Sequence, residues 1–432
     1  MKKKVLISFI VLASLFNLFS GLVLAAGEEE VSLDFMHFYS KSDTDSYPIV
    51  FNEIMDEFIE NHPEYDIKQN VTAHDNYQMK IKTLAAANEM PDIFVVKGTM
   101  IDNFRESGLI EPLDDILAND QEWKNSFVEG AFDDVSREEG VFGIPVKVEA
   151  TSIMFYNQAI FKEAGVDEFP ETWEEFKVAI QKIKDAGYTP ISLGNRGKWV
   201  VESCLLSMLG DRYTGTDWFR SIRYHQGASF TDPEFVEALT ALQELAEMGA
   251  FNRDMNSIDN IEQRRAYYNG EAAMFFEGAW AFNPVAENAP EEVVQNTRLE
   301  ILPEVKEGKG KANTVAGGAP WAFQINPNLE GEEKEAAVEI LKALSSQKLA
   351  TKFVEKNGAP PVKPGNYDES KLTDIMKQYN NILDRAAFSP VYDAQLSASV
   401  VEVMNSGLQE LLIGVVSPEE LAERIQDEHE KN

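Results

Sequence analysis

The chain has 432 residues, enough for two or three domains, with 44% hydrophobic, 10% aromatic and 26% charged residues. Thirty-nine Lys plus Arg stand against 73 Asp plus Glu, a formal net charge of −34. Such a surface repels nucleic-acid phosphates and anionic lipid, so nucleic acid is not an expected partner, and the charge suits a carrier of neutral or cationic small molecules as well as plain solubility. The one cysteine, Cys204, excludes an internal disulfide framework or a thiolate metal cluster, and its apolar run CLLSML reads as core.

Lys2, Lys3 and Lys4 precede an apolar run from Val5 to Ala26 that ends in small residues before GEEE. This is the layout of a secretory signal over 1–26. Its length leaves an uncleaved anchor helix open, although Ser8, Ser14, Asn17 and Ser20 weaken that reading. The stretch Leu24-Ala25-Ala26-Gly27 resembles a lipobox with glycine in place of the lipid-bearing cysteine, so anchoring by that route is not expected. The implied location is periplasmic, extracellular or at the cell surface.

Next, VSLDFMHFYS alternates and reads as a strand, IVFNEIMDEFIENHP as a helix stopped at Pro63, YDIKQNVTA as a strand and NYQMKIKTLAAANEM as a helix. PDIFVV is a short apolar strand, and IDNFRESGLIEPLDDILA is helix, glycine turn, helix. The alternation predicts an α/β layer on a largely parallel sheet. The pattern then restarts. GVFGIPVKVEATSIMFYN holds one or two strands, and TWEEFKVAIQKIKDAG is a helix with a Thr172/Glu175 capping box, closed by Gly187. YTPISLG is a strand leading into the loop GNRGKW. After a mostly helical stretch come three strand-like segments, EAAMFFEGAW, RLEILP and WAFQINPN, and the amphipathic helices EEKEAAVEILKALSS and SPEELAERIQDEHEKN.

The order of FGIPVKVEATSIMFYNQAIFKEAG, FPETWEEF, AGYTPISL, YNGEAAMFFEGAW, GGAPWAF and SPEELAERI resembles the extracellular carbohydrate-binding proteins of ABC importers, from residue 31 to near the end. The resemblance implies a two-lobed periplasmic-binding-protein fold, type II-like, with ligand in the cleft between α/β lobes. It places crossovers near Glu149, Gly317–Trp321 and Gly358–Pro361. The lobes would then be residues 31–148 plus 319–360 and residues 149–318 plus 361–432, the second rich in helix. It further implies a monomer that hands a sugar or oligosaccharide to membrane permease subunits, with no catalytic residue, cofactor or metal.

A sugar has an apolar face that aromatic rings cover and a rim of hydroxyls that charged groups and amides bind. Trp199, Asn195 and Arg196 sit in GNRGKW at the carboxyl end of a strand, where α/β clefts take ligands. Trp280 lies where the family commonly presents a stacking tryptophan, with Gly278 clearing space beside it. Trp321 follows a double glycine at the second crossover, and Glu149 stands between Val148 and Ala150 at the first. His37, Tyr39 and Asp43 at the end of the first strand, Asp75 at a helix start, Lys97 at a strand end and, as lesser candidates, Tyr392 and Asp393 complete the set. Trp173 reads as packing. The alternatives are a receptor for a peptide, polyamine or polyol phosphate, or an extracellular glycoside hydrolase using two carboxylates. Tyr267-Tyr268 as an iron site and DTDSY as a calcium loop lack the rest of their motifs.

Overall fold

The computed structural model describes residues 31–128 and 131–431, and the leader read at residues 1–26 lies outside them. Two sheets, each with its own helices, are joined by three chain crossings. The first has the strand order Tyr65–Val71, Val31–His37, Ile93–Lys97, Trp321–Ile325, Ile144–Pro145. Its first three strands run parallel, as strand–helix–strand units require. Trp321–Ile325 runs antiparallel to both of its neighbours, and Ile144–Pro145 beyond it points the same way as the first three, so the sheet is largely parallel in direction with one reversed strand. The reversed strand is the one that brings the chain back from the other lobe. Packing is dense where IFVVK is buried along its whole length, the signature of a strand covered on both faces.

The second sheet has the order Thr297–Glu300, Ile153–Asn157, Ala272–Glu277, Thr189–Ser192. Only Ala272–Glu277 and Thr189–Ser192 are parallel. The central strand AAMFFE is buried at every position because helices cover both faces. Phe155 and Phe275, register partners, stack with ring centroids 4.5 Å apart. The capping box forms: Thr172 Oγ1 accepts from the Glu175 amide and the Glu175 carboxylate accepts from the Thr172 amide. Trp173 is buried in the helix-rich core, as is Cys204.

The crossings are tied to one another. Glu149–Ala150 pairs antiparallel with Gly317–Gly318 inside a small three-stranded sheet completed by Ala387–Ser389. The Val148 amide donates to Ala359 O at 3.2 Å, and the Val146 amide to Trp321 O at 3.0 Å. Glycine is demanded here by crowding. A Cβ on Gly317 would lie 2.6 Å from Glu149 O and from the Phe388 ring, and one on Gly318 would lie 2.2 Å from the Asp134 carboxylate. The lobes also meet main chain to main chain, since a Cβ on Gly98 would lie 2.0 Å from Ala394 O. Among the described residues no helix is long and apolar enough to cross a membrane.

Gly317→Ala is expected to destabilise the protein by about 1–3 kcal/mol through overpacking at the crossing. The measurement is the urea midpoint of unfolding, which falls if the crowding is as described and holds if the strands yield freely.

Candidate functional site

The GNRGKW loop reaches the cleft because of its glycines. Gly194 lies against the Asp259 backbone, where a Cβ would approach the carbonyl oxygen to 2.0 Å. Gly197 faces Asp75 of the opposite lobe, whose carboxylate would lie 3.3 Å from a Cβ there. Lys198 adopts a left-handed backbone (φ 68°) and donates from Nζ to Glu402 and Ser406, which turns Trp199 inward. Trp199 meets His74 of the first lobe edge-on at 6.2 Å and Trp280 of its own lobe at 5.8 Å.

Trp280 is pinned. Its Nε1–H donates to Glu277 Oε1 at 2.8 Å, and the same oxygen accepts from Asn260 Nδ2 at 2.6 Å. Gly278 lies against its benzo edge, where a Cβ would stand 2.1 Å from the ring. The Lys147 ammonium sits 5.4 Å from the indole centroid and 2.5 Å from Glu149 Oε1. Glu149 and Glu277 are both buried, and burial pushes both carboxyls above their ordinary range, opposed by Lys147 and Arg264 respectively. A small cavity lies beside Glu149 and Trp280, lined also by Asp45, Tyr47, Lys147 and the Asn357–Gly358 turn.

Polar contacts cross the closed cleft. Lys97 pairs with Asp393, with only 11% and 3% of the two side chains exposed. Glu202, on a π-helical turn, accepts from the Asp393 amide, and burial together with the Asp393 charge holds its carboxyl well above the usual range. Asn283 Nδ2 donates to Thr44 O at 2.7 Å, Gln395 Nε2 to Asp134 Oδ1 at 2.8 Å, and Arg264 lies 3.7 Å from Asp45.

The structure thus brings together Trp199, Trp280, Glu149, Asp75, Arg196, Lys97 and Trp321. Arg196 is half-exposed, paired with Asp259 and Glu262, and contributes to lowering the Asp75 carboxyl, whose main cause is the hydrogen bond from His74. Trp321 is buried against Phe38 and His74, with Lys97 above its ring at 5.7 Å. The Tyr39 ring is buried under Tyr47 and Phe51. Its hydroxyl feels the Glu149 charge and finds no hydrogen-bond partner among the described residues.

Four candidates fall elsewhere. His37 is wholly buried among Phe35, Tyr39 and Phe51. Its Nδ1 accepts from the Tyr39 amide, so Nε2 carries the proton and donates to Gln69 Oε1 at 3.0 Å. Asn195 is also wholly buried, and its amide organises the loop by accepting from the Val201 amide. Asp43 accepts from the Ser40 amide and closes an exposed turn. Tyr392 stacks on Phe219 at 4.5 Å inside the second lobe. Asp45, Lys147, Glu202, Arg264 and Glu277 were not among the sequence candidates, whereas Asp393 was, beside Tyr392. Glu277, ending an otherwise apolar strand, and Lys147, two positions from Glu149, carried the only signals.

Two lobes closing on indoles and buried charges define a solute receptor. A model of the bacterial extracellular solute-binding protein family matches residues 44–378, and the chain belongs to that family. The sn-glycerol-3-phosphate-binding periplasmic protein UgpB of Brucella melitensis is 26% identical over 340 residues, 76% of this chain and 74% of that protein. A solved chitin oligosaccharide binding protein superimposes with a TM-score of 0.84 at 24% identity, covering 93% of this chain and 98% of that one. A structure from work on xylan utilization by the thermophilic bacterium Caldanaerobius polysaccharolyticus superimposes at 0.82 with 27% identity, covering 92% and 99%.

Burial lowers the His37 pKa to about 4, against 6.5 for a free imidazole. The unfolded chain therefore binds the proton first, and folding stability is present above pH 6.5 and lost as pH falls from there towards 4. The loss is about 3 kcal/mol. His37→Gln is expected to flatten the dependence of unfolding free energy on pH in that window, read by urea titrations at pH 4.5 and 7. An unchanged slope assigns the acid sensitivity elsewhere.

Asp393→Asn removes one partner of a buried pair, an act costing about 3–5 kcal/mol where the other charge stays buried. Here Lys97 regains water when the lobes part, so the variant shifts towards an open form. Small-angle X-ray scattering should show a larger radius of gyration, and an unchanged radius removes the pair from closure.

Proposed function

We propose that the protein captures a sugar or oligosaccharide outside the cytoplasm, closes its lobes over it by hinge motion, and delivers it unaltered to the permease of an ABC importer. The carrying observation is the pair of indoles: Trp199 and Trp280 stand 5.8 Å apart and edge to face, with Glu149 and Glu277 beside Trp280. Flat apolar faces ringed by buried acceptors match the two surfaces of a pyranose. The names of the structural relatives point the same way, since chitin oligosaccharides and xylan are both saccharides.

Export rests on the basic and apolar run over residues 1–26. The protein acts as a monomer, and the hinge segments divide it into lobes of residues 31–148 plus 319–360 and residues 149–318 plus 361–432. No bond is made or broken in the ligand. A polyol phosphate, the ligand class named for the Brucella relative, is disfavoured by the carboxyl groups of Asp45 and Glu149 lining the cavity and by the −34 overall charge.

Trp280→Ala is expected to weaken saccharide binding by about 1–3 kcal/mol, read by isothermal titration calorimetry with the saccharide that gives the largest thermal shift in a panel. Chromatography of the same oligosaccharide after incubation should return it intact. Unchanged affinity removes Trp280 from the site, and shortened chains would make the protein a hydrolase.

A further inference from the structure

The cavity beside Trp280 holds an ammonium group of the protein's own. Lys147 Nζ lies over the indole at 5.4 Å and against Glu149 at 2.5 Å. A cation above an aromatic face with a carboxylate at its side is how proteins hold ligand ammonium groups. With Lys147 set aside, the ionisable side chains lining this cavity are Asp45, Tyr47 and Glu149, with Arg264 3.7 Å from Asp45. The Tyr47 hydroxyl belongs to a side chain lining this cavity, is 2% exposed, and has no hydrogen-bond partner among the described residues. The walls therefore have surplus negative charge and a spare phenolic oxygen.

Trp280 cannot turn to offer another face, because Glu277 holds its Nε1–H and Gly278 packs against its edge. A guest that stacks on the face under Lys147 has to displace it. Lys147 hangs on a flexible stem and keeps 16% of its side chain in solvent, so it has a way out. The consequence of leaving depends on the guest. A neutral ring leaves Glu149, whose side chain is 4% exposed, buried without its counter-charge. A guest carrying its own ammonium restores both the ion pair and the contact with the indole.

We propose that this cavity exchanges Lys147 for a protonated amine of the ligand, so that the captured saccharide is an amino sugar with its amine free rather than acylated. The proposal rests on the saccharide reading above. The net charge of −34 acts in the same direction by concentrating cations around the protein.

The test is calorimetry on the purified protein at pH 6 with glucosamine, N-acetylglucosamine and glucose, as monosaccharides and as β-1,4 oligomers. Galacto-configured counterparts and spermidine are run alongside. At least one free-amine sugar should bind tenfold or more tighter than its hydroxyl and acetamide twins. Glu149→Gln should shrink that preference, and Lys147→Met should raise affinity for the amine member selectively. Thermal unfolding midpoints close to the parent's establish that both variants are folded. Equal or tighter binding of the neutral twins overturns the amine assignment and leaves the saccharide reading standing. Binding of spermidine with no saccharide bound upholds the ammonium site and overturns the saccharide reading. No binding by any amine overturns the ammonium site.

Discussion

The antiparallel pairing of Glu149–Ala150 with Gly317–Gly318 is the contact on which the rest of the molecule depends. It joins the outgoing and returning chain at the boundary between lobes, and the Val148 to Ala359 hydrogen bond adds the third crossing. Because the crossings are hydrogen-bonded to each other, the lobes share one axis instead of swinging on separate tethers. The same residues supply the site. Glu149 is a hinge residue and a wall of the Trp280 cavity, and Trp321 follows the second crossing into the first-lobe sheet. Movement at the hinge and geometry in the cleft are therefore set by one short stretch of backbone.

Charge in the cleft follows from closure. Lys97 with Asp393, and Arg264 with Asp45, pair groups from different lobes, and Arg264 is held as well by Glu277 of its own lobe. Burial disfavours every charge concerned, and only opposite charges at short range offset that cost. Glu202 and Glu149 show the imbalance most clearly, since burial outweighs their basic neighbours and raises both carboxyls.

Most elements were legible because period and punctuation agree: Thr172 with Glu175 marks a helix start, and the apolar run AAMFFE marks a strand covered on both faces. Sheet direction was less legible, since periodicity carries no information about whether a strand returns from a distant crossing, as Trp321–Ile325 does. Trp199, Trp280 and Glu149, which the structure places near one another, stood out in the sequence because an indole beside glycine, or a carboxylate between apolar neighbours, is locally conspicuous. His37 and Tyr392 misled for the converse reason. A polar ring at a strand end looks the same in sequence whether it faces a cleft or is held by Gln69 and the Tyr39 amide, or stacked on Phe219. Arg264 was passed over because its partners, Glu277 and Asp45, sit on other elements of the fold, and in so acidic a sequence no single charge stands out.

The approach of Gly98 to Ala394 has a consequence for the shape of anything carried. At that point the lobes touch through main chain, with no side chain to fold aside. The jaws therefore have a hard stop, and the gap they leave has a fixed height of its own. Nearer approach there would drive backbone into backbone, and any side chain larger than hydrogen at position 98 would hold the two halves further apart.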